Sequence, residues 1–117
     1  MSRQTRERRL EAEERWPTLH RLLVRYFGPT VFHEFETLPE ARRAAVAGFD
    51  MESLKHAATE WWAWNQEVGW KQDLPYCLDA YGVELDFGTD LEARKFMNQV
   101  YDDLIVAIRK HDNGWKP

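Results

Sequence analysis

The side chains of this chain that could do chemistry are its carboxylates, its four histidines and its single cysteine. Glu84, Asp86 and Asp90 are gathered around Gly88. Paired carboxylates act as general acid and base when burial raises the pKa of one of them, and a flexible acidic loop provides little burial. We therefore expect this segment to be solvated or to face a partner.

Metal ligation requires more ligands than the sequence brings together. His56 and Glu60 have i, i+4 spacing on a predicted helix and could form one edge of a site. Two ligands do not complete a site, and the segment HEFE at 33–36 lacks the second histidine of an HExxH zinc motif. Asp102 and Asp103 are adjacent on a predicted helix, so they point about 100° apart and do not easily share a proton. No metal or other cofactor is expected.

Cys77 is the only cysteine, which excludes an internal disulfide and a CxxC motif. It lies between Tyr76 and Leu78 on a short predicted helix, so a buried, inert thiol is favoured over a nucleophile. The sequence contains no phosphate-loop, GxGxxG or GxSxG motif. These observations favour a protein that is not an enzyme, and a small enzyme with an unfamiliar site stays open as a weaker alternative.

The net charge of −4 is unevenly distributed along the chain. Residues 1–26 carry seven basic and four acidic side chains, residues 27–71 four and seven, and residues 72–117 five and nine. Nucleic-acid-binding proteins concentrate positive charge, whereas here the one basic segment has Arg and Glu interleaved. We therefore expect no direct nucleic-acid binding, and a basic protein is the natural partner for the acidic two-thirds of the chain.

Tryptophan is unusually frequent, with six in the chain. Four of them lie close together, at Trp61, Trp62, Trp64 and Trp70. Their spacing prevents all four from facing one side of a helix, so we expect two or three in the core and at least one outside it. An exposed ring is a typical interface anchor. Stacking on single-stranded nucleic acid also requires neighbouring Lys and Arg, and only Lys55 and Lys71 flank these rings.

Capping signals and hydrophobic periodicity predict helices over 16–27, 37–48, 50–69, 73–81 and 89–111. The first carries one apolar stripe, formed by Leu19, Leu22, Leu23, Tyr26 and Phe27. Thr37 and Thr89 begin capping-box sequences. Residues 30–36 are expected to form a loop, and residues 83–87 an extended connection, because no strand of similar quality could pair with them.

Helices with short Gly- and Pro-containing joints predict an all-α, single-domain compact bundle of about five helices, at 16–117. Residues 1–15 are predicted to be a charged helical arm with little to pack on, since Leu10 and Ala12 are the apolar groups between residues 3 and 14. No apolar stretch is long enough to span a bilayer, and the N-terminus lacks the apolar region of a secretory signal. We expect a soluble protein of a reducing compartment.

The sequence WPTLHRL at 16–22, followed by Tyr26-Phe27, resembles the opening of the small immunity proteins of bacterial contact-dependent growth-inhibition systems. The later part is also similar to that family. It has Leu78, then Tyr81-Gly82 and Leu85, and after them a final helix that ends in Asp103-Leu104. The resemblance covers about residues 16–110.

This resemblance implies a cytoplasmic, non-enzymatic protein that binds and blocks the toxic C-terminal domain of a cognate effector, often a nuclease. The chain departs from the family pattern at Gly28-Pro29, where acidic and polar residues often follow the Tyr-Phe pair. The arm at 1–15 has no counterpart. The matched positions are mostly core positions, so the family transfers no binding site, and we expect a monomer that joins its toxin as a heterodimer.

Charge therefore selects the candidate binding residues. The acidic candidates are Asp79, Glu84, Asp86 and Asp90. They are expected to pair with Lys and Arg of a basic toxin domain, with Trp64 or Trp70 as an apolar anchor. The alternative is a helical adaptor or regulator of another protein, whose Arg-rich arm at 3–15 becomes ordered on contact.

Overall fold

The structure, a computed structural model, describes residues 3–70 and 73–117. Met1 and Ser2 of the predicted arm, and Lys71 beside the tryptophans, lie outside the described residues. The described chain is all-helical and compact, with no β-strand within those two ranges. Its helices are α1 (Arg3–Arg15), α2 (Pro17–Phe27), α3 (Val31–Glu34), α4 (Leu38–Gly48), α5 (Met51–Trp64), α6 (Leu74–Ala80) and α7 (Asp90–Arg109). The all-α prediction is confirmed, but these seven helices exceed the five expected.

The two helices beyond the predicted bundle of five are α1, which lies in the segment predicted to be a helical arm, and α3. Helix α3 is a single turn, closed by the Phe35 N–H donating to the Val31 carbonyl over 2.9 Å, and Val31 is buried. The expected loop at 30–36 is therefore partly helical. The connection at 83–87 is extended, as the sequence predicted.

Helix α2 forms as its sequence predicts. Pro17 occupies its first turn, where the missing N–H has no intrahelical partner to lose. The five residues of the predicted stripe are all buried. The helix ends before Gly28, where a Cβ atom would lie 2.4 Å from the Val24 carbonyl oxygen, so a residue with a side chain cannot adopt this turn unchanged.

Both predicted capping boxes are present, with one difference. The Thr89 hydroxyl accepts from the Glu92 N–H over 3.2 Å, and Thr37 does the same for Glu40 over 3.4 Å. The returning carboxylate of Glu92 accepts from the Gly88 N–H over 2.7 Å, which is one residue before the cap. Each carboxylate thus satisfies a backbone donor just outside its helix and fixes the direction in which the chain enters it.

Helix α5 does not continue to Gly69 as an α-helix. Asp50 caps its start by accepting from the Ser53 N–H over 2.7 Å, and after Trp64 the chain widens into a π-helical turn at Asn65–Gly69. The Trp64 ring packs against Gly69 so closely that a Cβ atom there would lie 2.9 Å from it. From α7, the Arg94 guanidinium donates to the Asn65 side chain and the Gly69 carbonyl, each over 2.6 Å, and so holds the widened turn.

The core is centred on α5, which packs against both α2 and α7. Large side chains that are almost fully buried come from every side of this contact: Leu19, Leu22, Leu23, Phe27, Trp64, Leu78, Met97, Leu104 and Ile108. Phe27 and Phe96 meet edge to face with ring centroids 5.0 Å apart. One continuous apolar cluster therefore joins the helices.

Helix α1 packs on α2 and α6, so the expectation that the arm has little to pack on is wrong. Ala12 is fully buried. The Thr5 and Tyr76 hydroxyls are hydrogen bonded at 2.6 Å, and the Arg8 guanidinium lies 4.9 Å from the centre of the Tyr76 ring. The contact is made by a small residue, a hydroxyl pair and a cation over an aromatic ring, none of which registers as hydrophobic periodicity.

None of the helices in the described ranges is both long enough and apolar enough to cross a membrane.

Candidate interaction surface

The four acidic candidates lie at the surface within one twelve-residue stretch. Asp79 is on α6, Glu84 and Asp86 are in the extended connection, and Asp90 is the first residue of α7. All four are exposed. Within residues 3–70 and 73–117 no ion pair involves any of them, so their charges are available to a partner.

The extended connection determines where two of these carboxylates point. Val83 is buried, and Leu85 and Phe87 are partly buried against the core, while Glu84 and Asp86 between them are exposed. Alternation of this kind places every second side chain on the same side of an extended chain. Glu84 and Asp86 therefore form an outward row with Cα atoms about 6.7 Å apart.

The row is anchored at both ends. The Glu84 N–H donates to the Phe27 carbonyl over 2.9 Å, and the Val83 N–H donates to the Leu78 carbonyl over 2.9 Å. At the other end, the Phe87 ring packs on Phe96 of α7 with centroids 5.3 Å apart. The acidic residues thus stand on a segment attached to the core, which contrasts with the flexible loop that the sequence suggested.

The two tryptophan candidates have different positions. Trp64 is fully buried, so it cannot act as an exposed anchor, and that part of the prediction is corrected. Trp70 is 65% exposed, and its indole N–H donates to the Gln66 carbonyl over 3.0 Å. Arg94 lies one helical turn after Asp90 on α7 and binds the carbonyl of Gly69. Trp70 directly follows Gly69, so this hydrogen bond holds the start of its segment against α7.

The other two tryptophans of the cluster also separate, since Trp61 is buried and Trp62 is 45% exposed. The Trp61 ring stacks on Tyr101 with centroids 4.4 Å apart. Two of the four rings therefore lie in the core, as expected, and two lie at the surface.

A cleft partly lined by charged residues, which the sequence did not reveal, adjoins the acidic row. It has a volume of about 300 Å³ and is lined by Arg9 and Glu13 of α1, His20 of α2, and Glu84, among others. The His20 Nε2 and Glu13 Oε1 atoms are 4.0 Å apart. Burial lowers the pKa of His20, the Glu13 carboxylate opposes that shift, and Arg9 reinforces it.

Sequence reasoning missed this cleft because His20 and Glu13 lie on different helices. The two residues become neighbours across the corner at Trp16-Pro17, where α1 meets α2. The His20 imidazole, beside the Glu13 carboxylate, can accept a hydrogen bond from a polar group of a partner or donate one to it. Among the described residues, no serine, threonine or cysteine lines this cleft.

The remaining chemical candidates have structural roles. Glu60 accepts two backbone hydrogen bonds from the start of α2, so its carboxylate is occupied rather than paired with His56 in a metal site. Within the described ranges no three His, Cys, Asp or Glu side chains are grouped as metal ligands would be. Asp103 forms a bidentate ion pair with Arg42, at 2.8 and 3.0 Å. Cys77 is fully buried, as expected, and its burial raises the pKa of the thiol.

Comparison with known proteins adds no relative. No family model matches the chain, and neither a curated protein nor a solved structure is similar to it at a significant level.

Proposed function

We propose that this chain is an immunity protein. It binds the toxic C-terminal domain of a cognate contact-dependent growth-inhibition effector and blocks its active site. The observation that carries the proposal is the outward row of Glu84 and Asp86, flanked by exposed Asp79 and Asp90. These carboxylates are held on a segment attached to the core and have no cationic neighbour within ion-pair distance in the described structure.

The charge distribution supports a basic partner. Several cations elsewhere are already paired within the chain, as in the ion pairs Arg25–Glu34, Arg42–Asp103 and Lys55–Asp112. The acidic row is therefore a surface where negative charge is not neutralised internally. Nucleases that act on phosphodiesters carry positive charge at the substrate site, and a fixed row of carboxylates can occupy the position of the phosphates.

Trp70 supplies the apolar part of the proposed contact. Charged rims increase the rate of association, while buried aromatic anchors supply most of the affinity. Trp70 is exposed and follows the π-helical turn that Arg94 holds against α7, near the helix end that carries Asp90. We propose that the partner buries this ring and surrounds it with contacts to the acidic residues.

The adaptor alternative depends on the arm at 3–15 becoming ordered when it meets a partner. In the chain alone this segment is already helix α1 and is packed on α2 and α6. The structure therefore offers no observation that favours the adaptor over the immunity protein.

The first experiment is co-purification with the C-terminal domain of the polypeptide encoded immediately upstream. We expect that domain to be toxic when it is produced alone and to form a stable complex with this chain. A harmless domain that fails to bind would contradict the proposal.

The second experiment tests the surface, using the Glu84→Lys/Asp86→Lys double variant. At low salt we expect its association with the toxin domain to be at least about 10-fold slower and less dependent on salt than that of the wild type. The matched control is Glu36→Lys/Asp102→Lys, which changes the net charge by the same amount at two other exposed carboxylates. Equal slowing in both variants would assign the effect to net charge rather than to the acidic row.

A further inference from the structure

A second surface, separate from the acidic row, lies between α4 and α7. Two adjoining clefts of about 210 and 470 Å³ run along this helix pair. They share Val46 of α4, Ala107 of α7 and Lys110, the residue after α7, so they form one continuous groove. None of Asp79, Glu84, Asp86 and Asp90 lines it.

The floor of the groove is apolar. Val46, Val106 and Ala107 line its first part, and Phe49 and Met51 extend it toward the start of α5. Val106 is 58% exposed, although it lies in the middle of the second half of a 20-residue helix. An exposed β-branched apolar side chain that lines the first part of the groove offers area that a partner side chain can bury.

The rim of the groove is basic, unlike the chain as a whole. Arg43, Lys110 and His111 line it, and Arg43 and Lys110 have no ion-pair partner in the part of the chain that the structure describes. The acidic lining residue, Asp103, is neutralised by its bidentate pair with Arg42. The groove therefore presents two unpaired cations beside an apolar floor, on a protein whose net charge is −4.

The length of the groove suits a helical ligand. Its lining extends from Asp103 on α7 to His111, two residues after that helix ends, which corresponds to about 12 Å at the rise of an α-helix. Apolar residues at positions i and i+7 of a docked helix are about 10.5 Å apart, so two or three anchors at i, i+3/i+4 and i+7 fit this distance.

We propose that this groove docks an acidic amphipathic helix of a partner protein. Leucine-like anchors on that helix would bury the floor around Val106 and Val46. Its flanking carboxylates would pair with Arg43 and Lys110. The charge of the rim selects this occupant over a basic or neutral helix. No residue of the acidic row lines the groove, so docking of this helix is independent of the proposed immunity function.

The probe for the test is a synthetic, end-capped peptide helix with Leu at i, i+3, i+4 and i+7 and Glu on the flanking positions. A second peptide replaces every Glu by Lys. In about 50 mM salt, fluorescence anisotropy should show the acidic peptide binding at least about 10-fold more tightly than the basic one, with the difference shrinking as salt is added. Equal binding of the two peptides would overturn the proposal.

Variants of the chain locate the binding. Val106→Asp should weaken the binding of the acidic peptide at least about 10-fold. The control is Leu91→Asp, at a residue of the same helix that is 61% exposed, and it should leave the affinity for that peptide unchanged. Arg43→Gln/Lys110→Gln should remove the preference for the acidic peptide while some binding of both peptides remains. Equal effects of Val106→Asp and Leu91→Asp would overturn the assignment to the groove.

A second copy of this chain is the competing occupant. Sedimentation of the chain alone tests it, because a dimer that Val106→Asp dissociates and Leu91→Asp does not would assign the groove to self-association and overturn the proposal. A monomer under the conditions of peptide binding supports it.

Discussion

The Glu60 carboxylate of α5 accepts a hydrogen bond from the backbone N–H of Thr18, over 2.8 Å. The same oxygen accepts from the Leu19 N–H over 3.0 Å. Helix α2 has Trp16 at its cap position and no side-chain cap of its own, so Glu60 provides the acceptor that the first turn lacks. A carboxylate at this end also interacts favourably with the helix dipole. The Glu60 side chain therefore joins the first turn of α2 to α5.

Replacing Glu60 by Ala should lower the free energy of unfolding by about 1–2 kcal/mol, because two backbone donors lose their acceptor. Urea denaturation measures the change. Glu14→Ala is the control, because Glu14 is exposed on α1 and has no hydrogen-bond or ion-pair partner within the described ranges. Similar losses in the two variants would show that the cap contributes nothing specific.

The two tryptophans proposed as anchors should respond oppositely to mutation. Trp64→Ala should lower the free energy of unfolding by about 3–5 kcal/mol, since the ring is fully buried against Gly69 and leaves a cavity. Trp70→Ala should change it by less than about 0.5 kcal/mol, because most of that ring is exposed. Chemical denaturation of both variants checks this order. Partner binding should depend on Trp70 and be insensitive to Trp64 in any Trp64 variant that remains folded.

Much of the fold follows from local signals in the sequence. The stripe on α2, the caps at Thr37 and Thr89 and the glycines after the helices act within a few residues of one another, so a linear pattern reveals them. The segment at 83–87 is similar, because its alternation of apolar and acidic residues remains visible in the structure as core-facing and outward side chains. Glu84 and Asp86 are exposed through this alternation, and Asp79 and Asp90, which lie outside the segment, are exposed as well.

The remaining features depend on contacts between distant residues. The π-helical turn shifts the helical phase after Trp64, and Arg94, 25 residues beyond Gly69, holds that turn. The burial of α1 depends on Tyr76 of α6, far along the chain. No pattern within a short window contains these pairings.

The packing of α1 can be tested by enlarging the buried side chain of Ala12. Ala12→Leu should lower the free energy of unfolding by about 1–3 kcal/mol, because Ala12 is fully buried and a larger side chain must displace its neighbours. The control is Ala47→Leu, the same change at an exposed position of α4, which should have little effect. Thermal or urea unfolding separates the two. If α1 were a free arm, the Ala12 and Ala47 variants would be equally stable.

The pH dependence of stability should report the burial of His20. Burial lowers the pKa of His20 below its ordinary value of 6.5, so below about that pH the unfolded chain binds a proton that the folded chain does not. The stability present above pH 6.5 is therefore lost as the pH falls through the lowered folded pKa. We expect the free energy of unfolding to decrease between about pH 7.5 and pH 5.5, where ordinary carboxylates remain mostly ionised.

His20→Gln should remove this part of the decrease, because the amide does not titrate, and urea denaturation at the two pH values measures it. Glu13→Gln should steepen the decrease, since the Glu13 carboxylate makes the largest contribution that raises the pKa of His20 against the effect of burial. Ala47→Gln, at an exposed position of α4 that does not titrate, serves as the control and should retain the wild-type slope. If His20→Gln retained that slope as well, the imidazole would titrate alike in the folded and unfolded chain, and the cleft between α1 and α2 would be open to water.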